Sequence, residues 1–141
     1  MHQSLPSKIT IGTAQLGTVY GIANRSGKPN LDTSMQVLDT AYNAGITTID
    51  TAAAYGDSEL VIGQWLSLRN INAQIITKIP KLIHDEISSS GTINDNVLQS
   101  IERSLKRLGV SSIWGVMLHA YSDCEKAEQL IVNALCELKR R

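Results

Sequence analysis

Four short runs rich in β-branched residues, at 8–14 (KITIGTA), 46–50 (ITTID), 74–79 (QIITKI) and 112–118 (SIWGVML), are separated by long stretches with helical spacing. Hairpin strands are joined by only about two to five residues. These gaps therefore predict parallel strands joined by right-handed helical crossovers, four strands alternating with four helices.

The helical segments carry their own punctuation. The first is expected from a cap at Asp32 to Ala44, with Met35, Leu38, Ala41 and Tyr42 at helical spacing and Gly45 just past its end. A second, at 58–67, starts from a cap at Asp57 or Ser58, and Leu60, Val61, Gln64 and Leu68 form its expected apolar stripe, with Trp65 alongside. Val97, Leu98, Ile101, Leu105 and Leu108 mark a third that ends at Gly109. The last, at 125–140, has Ala127, Leu130, Ile131, Ala134, Leu135 and Leu138 on one face and basic residues in its final turn. Two loops remain: 16–30, which carries Gly17, Gly21, Gly27 and Pro29, and 81–91, which contains a serine run. The first is long beside the usual two to six residues or so of α/β connections, and such excess is often functional.

At 141 residues and 43% hydrophobic, the chain has material for one domain spanning 1–141. Thirteen basic residues balance thirteen acidic ones, which disfavours nucleic acid or a membrane surface as partner and points to a small molecule. The opening MHQSLP lacks a signal pattern, and no apolar run approaches the roughly 18 residues of a membrane span, so a cytoplasmic location is expected. Cys124 and Cys136 fall on different turns of the last helix and are expected to be reduced thiols. His2, His84 and His119 are scattered and suggest no metal set.

Three strands end on polar groups: Asp50 after the second, Lys78 after the third and His119 after the fourth, with Tyr55 in the loop that follows Asp50. Ligands of parallel α/β proteins bind at that end of the sheet. By strand alternation Thr48 shares a face with Asp50, Ile76 with Lys78, and Ile113, Gly115 and Met117 with His119, leaving Trp114 to face the helices. Taken singly, the aspartate reads as a cap, the lysine as solvated, the tyrosine as a loop anchor and the histidine as a core residue. Taken together they form a proton-handling set. A free tyrosine, with a pKa of about 10, exchanges protons poorly near neutrality. A lysine within about 4 Å stabilises a phenolate by up to roughly 4 kcal/mol at an effective dielectric of about 20, before desolvation. An aspartate keeps that lysine charged, and a histidine beside the phenol can orient a carbonyl oxygen. Such a set suits delivery of a proton to an oxygen gaining negative charge, as in reduction of an aldehyde or ketone.

The stretch DTAAAYGDSE at 50–59, Gly63, the ITK ending on Lys78, and SIERSLKRLGV leading to the LH at His119 together resemble the aldo-keto reductase family. The resemblance implies an α/β fold of parallel β/α units, four of the eight of a TIM-type barrel, and so a half barrel. It implies Tyr55 as proton donor, Lys78 and Asp50 as its tuning pair, His119 as substrate orienter, and a hydride taken from NADPH, with Gly12, Thr13, Ala14 and Asp50 near the nicotinamide. It also admits a non-catalytic regulatory subunit on the same fold. In two respects the chain departs from the family. Trp114 stands where the family usually has an aspartate, and the chain stops after its fourth unit where a whole barrel takes about 250 residues. The expectation is therefore a truncated form whose half barrel lacks the residues that grip the adenosine phosphates, with weak or absent NADPH binding and self-association through its open edges.

Overall fold

The computed structural model describes residues 9–82 and 90–140. His2, Lys8, His84 and the serine run up to Ser89 lie outside the described residues, as do the side chains of Cys124 and Ala127. The elements are β1 (Thr10–Gly12), α1 (Ala14–Gly17), α2 (Leu31–Asn43), β2 (Thr48–Asp50), α3 (Ser58–Arg69), β3 (Gln74–Ile79), α4 (Ser90–Leu108), β4 (Gly115–Leu118) and α5 (Tyr121–Arg140). All four strands are parallel and lie in chain order, β1-β2-β3-β4. Gly12 stands opposite Asp50, Asp50 opposite Ile76, and Lys78 opposite Met117. This is the expected α/β arc of a partial TIM-type barrel.

The two faces of the sheet differ. Along β3 the residues Ile75, Thr77 and Ile79 are buried while Gln74, Ile76 and Lys78 are less so, the alternation of a sheet covered by helices on one side. One apolar cluster joins Leu16, Met35, Leu38, Ile49, Ile62, Trp65 and Ile75 beneath α2 and α3, and a second joins Ile79, Ile93, Val97, Ile101 and Ile131 between the sheet, α4 and α5. Full burial of each large aliphatic side chain in these clusters contributes about 1.5–3 kcal/mol. The opposite face is open, and Met117 on it is 52% exposed.

Several local expectations change. The first strand is shorter than 8–14 because Ala14 already begins α1, so the loop proper runs over 18–30. Asn30, not Asp32, caps α2, its side chain accepting from the Thr33 amide at 2.8 Å. Neither candidate side chain caps α3. The Asp57 carboxylate is drawn to Lys28 at 2.7 Å, and the Ser58 hydroxyl is engaged with Thr13 and Thr51. The buried stripe of α3 is Val61, Ile62, Trp65 and Leu66, whereas Leu60 and Leu68 are exposed. Trp65 sets that rotation by stacking edge-on to Tyr42 and donating its indole N–H to Asp39 at 2.9 Å. α4 starts at Ser90, inside the expected second loop, and α5 at Tyr121 rather than 125.

The fourth strand starts only at Gly115, so alternation does not extend back to 113. Ile113 therefore packs against both core clusters instead of sharing the open face with His119, while Trp114, expected against the helices, borders a cleft with Leu105 of α4 and Leu135 of α5 and remains 63% exposed.

Candidate active site

Asp50 closes β2 on the open face, one strand from Lys78 on β3, which sits about one pleat further along because Asp50 pairs with Ile76. The lysine reaches back across that offset. Its Nζ donates to Asp50 Oδ1 at 2.6 Å and to the Thr51 carbonyl at 2.9 Å, and stands 4.9 Å from the centroid of the Tyr55 ring. Lys78 is 13% exposed and Asp50 31%, so this ion pair is partly shielded from water. His119 lies one residue past β4, its amide bonded to the Ile79 carbonyl at 3.0 Å. Its ring meets that of Tyr55 edge-on, centroids 5.7 Å apart and planes at 72°. The three polar strand ends Asp50, Lys78 and His119 are thus gathered with the loop residue Tyr55 at one end of the open face.

The Tyr55 loop is held from below by a hydroxyl network that the sequence reading did not identify. Thr13 Oγ1 donates to the Asp50 carbonyl at 2.9 Å, Ser58 Oγ lies 2.9 Å from Thr13 Oγ1 and 3.0 Å from the Thr13 carbonyl, and Thr51 Oγ1 lies 3.1 Å from Ser58 Oγ. All three hydroxyl residues are fully buried. The Thr13 amide also bonds the Asp50 carbonyl, at 3.0 Å. Each shared bond fixes the turn from β1 against the end of β2. The signal was available as three hydroxyl residues flanking Asp50 and Tyr55, but hydroxyls at strand ends also suit caps and turns.

Among the residues expected near a nicotinamide, Gly12 opens onto free space: a Cβ built there meets nothing within 4 Å. It lies beside Asp50 in register, so a flat ring has room to approach this backbone. Thr13 behaves differently, since its hydroxyl is spent on bracing Asp50, and Ala14 begins α1. The available contacts at this corner are therefore backbone, the Gly12 surface and the Asp50 carboxylate. No helix among the described residues is long and apolar enough to cross a membrane.

Comparison with known proteins agrees with this fold. The model of the aldo/keto reductase family matches residues 8–141. An aldo-keto reductase of Strobilurus tenacellus is 34% identical over 96% of this chain and 40% of its own length. The aryl-alcohol dehydrogenase [NADP(+)] of Phanerodontia chrysosporium is 32% identical over 74% of this chain and 28% of its own. A structure solved as a candidate aldo-keto reductase of Pseudomonas aeruginosa superposes with a TM-score of 0.73 at 30% identity, covering 93% of this chain and 50% of that one. The chain thus spans well under two thirds of the length of the proteins it matches. With the strand order and the family match over residues 8–141 in agreement, the chain belongs to the aldo/keto reductase family.

Proposed function

We propose that this chain carries the proton-handling half of an oxidoreductase site that reduces an aldehyde or ketone to an alcohol. The carrying observation is the threefold setting of Lys78, whose ammonium is bonded to Asp50 and to the Thr51 carbonyl while standing over the Tyr55 ring. Tyr55 gives its phenol proton to the carbonyl oxygen as hydride reaches the carbonyl carbon, so that the C=O electron pair becomes the new O–H bond. The phenolate left behind is stabilised by Lys78, and Asp50 holds the lysine ammonium in place. His119, at the edge of the Tyr55 ring, holds the substrate oxygen in line with the phenol.

The cofactor of this proposed reaction is NADPH, in keeping with the Phanerodontia relative named aryl-alcohol dehydrogenase [NADP(+)]. Gly12 and Asp50, with the backbone at Thr13 and Ala14, would line its nicotinamide end. When bound, a reduced nicotinamide supplies the hydride. Because the described sheet is an arc with one face open, the 141-residue chain alone is expected to hold that cofactor weakly.

The test is Tyr55→Phe, assayed with aromatic aldehydes and NADPH. Loss of a positioned general acid costs roughly 10²–10⁴-fold in turnover, with cofactor binding retained. Unchanged turnover would sink the assignment of Tyr55.

A further inference from the structure

Glu59 lies four residues beyond Tyr55, and its side chain is 0% exposed. A wholly buried carboxylate is rare and needs full pairing. Its Oε1 accepts from Thr77 Oγ1 at 2.8 Å, and its Oε2 accepts from Arg107 Nε at 3.1 Å. The second arm of the same guanidinium, Nη2, donates to the Gly56 carbonyl. Thr77 is the chain neighbour of Lys78, pointing to the opposite face of β3, and Gly56 is the chain neighbour of Tyr55. One buried carboxylate is therefore bonded, directly or through one arginine, to the residues adjoining both Lys78 and Tyr55.

A purely architectural role explains this poorly. Buried ion pairs can often be replaced by apolar residues of similar volume with no loss of stability, so holding α3 against α4 does not require one. Apolar residues also cannot bond the Gly56 carbonyl, whereas the planar fork of an arginine serves two acceptors at fixed angles.

We propose that Glu59 and Arg107 are positioning residues that hold the Tyr55 phenol over Lys78 and beside His119. The inference rests on the reading of Tyr55 as proton donor, and it is tested without requiring turnover. The Tyr42–Trp65 ring pair, also edge-on with centroids 5.7 Å apart, is an internal control elsewhere in the same core. Arg107→Lys keeps a cation for Glu59 but offers a single ammonium in place of the fork. In the 141-residue chain, the nuclear Overhauser contacts between the Tyr55 and His119 rings should weaken by roughly half or more while those between Tyr42 and Trp65 persist, since a ring displaced by about 1 Å is enough to lose a productive geometry. Thr77→Val should weaken the same contacts, and Thr77→Ser, which restores the hydroxyl, should recover them. In a reductase assay Arg107→Lys should lower kcat roughly tenfold or more with little change in KM for the carbonyl substrate. Unchanged Tyr55–His119 contacts in both Arg107→Lys and Thr77→Val overturn the proposal. Equal loss of both ring pairs also overturns it, because the network would then support the fold in general. If Tyr55→Phe leaves turnover intact, the functional reading falls separately, and the ring contacts still report whether Glu59 and Arg107 place Tyr55.

Discussion

Lys78 Nζ and Asp50 Oδ1 are 2.6 Å apart although 28 residues separate them in the chain, and the contact exists because β2 and β3 are parallel neighbours in register. Lys78→Met breaks this pair and leaves Asp50 with water access through its 31% exposure. The proposed mechanism therefore predicts a loss of turnover of roughly 10²–10⁴-fold, with a much smaller change in thermal stability than the removal of a wholly buried partner would cause. Steady-state kinetics and a thermal melt on the same preparation check both halves. A variant that unfolds but retains its specific activity while folded would assign Lys78 to structure alone.

Two glycines separate packing from ligand space. A Cβ at Gly17 would collide with the Tyr55 carbonyl oxygen and lie 2.5 Å from the Ser58 amide nitrogen, both backbone atoms with no means of yielding cheaply. Gly17→Ala should therefore cost about 1–3 kcal/mol, as overpacked sites do, or push the Tyr55 loop away. Gly12→Ala meets nothing within 4 Å and should leave stability within about 0.5 kcal/mol of the parent, while weakening cofactor capture if the nicotinamide lies there. Urea titration and NADPH fluorescence measure the two effects.

The three polar strand ends at Asp50, Lys78 and His119 were legible because each closes an apolar run, and parallel alternation leaves few other ways to arrange such runs. That order implied the parallel α/β sheet, whereas the TIM-type arc was implied by the resemblance of the 50–59 stretch, Lys78 and His119 to the aldo-keto reductases. Residue-level facing was less legible. Ile113 was misassigned because period-two alternation was extended beyond the residues that pair as β4. The stripe of α3 was misread because Leu60 and Leu68 are apolar enough to suggest a core face, whereas the large Trp65, bonded to Asp39, decides which way the helix turns. Caps at Asp57 and Ser58 were reasonable from local chemistry alone. What diverted them was Lys28, 29 residues away from Asp57, and Thr13, 45 away from Ser58, distances that no local pattern encodes.

The Arg69 guanidinium, bonded to both oxygens of Asp39, together with the Trp65 indole N–H, holds the Asp39 carboxyl below its ordinary value of 3.8. Its folded-state value is depressed, so the stabilisation it gives is present above the unfolded value and is lost as pH falls through the folded one. Wild type should thus exceed Asp39→Asn in urea midpoint at neutral pH, and the gap should close below about pH 4. Salt should reduce the Arg69 share of that gap more than the Trp65 share, because the arginine contact is the more exposed. A gap that is constant from neutral pH down to about 3 would contradict the assignment.

Lys28 and Asp57 link the long first loop to the loop that carries Tyr55, with Nζ and Oδ2 2.7 Å apart. Hydrogen bonding to Lys28, then its charge, keeps the Asp57 carboxyl below the usual range. Both groups are well exposed, so the contact is screened by salt and adds little to global stability. Its effect should be local, because the loop is otherwise tied mainly to itself: Asn24 accepts from the amides of Ser26 and Gly27 and donates to the carbonyls of Tyr20 and Gly27. Lys28→Gln should therefore leave the melting temperature nearly unchanged while speeding amide exchange at residues 21–28 and at 56–57 together. Raising the salt concentration should produce the same paired acceleration in the wild type but not in the variant. Faster exchange in only one of the two segments would show that they are not coupled through this ion pair.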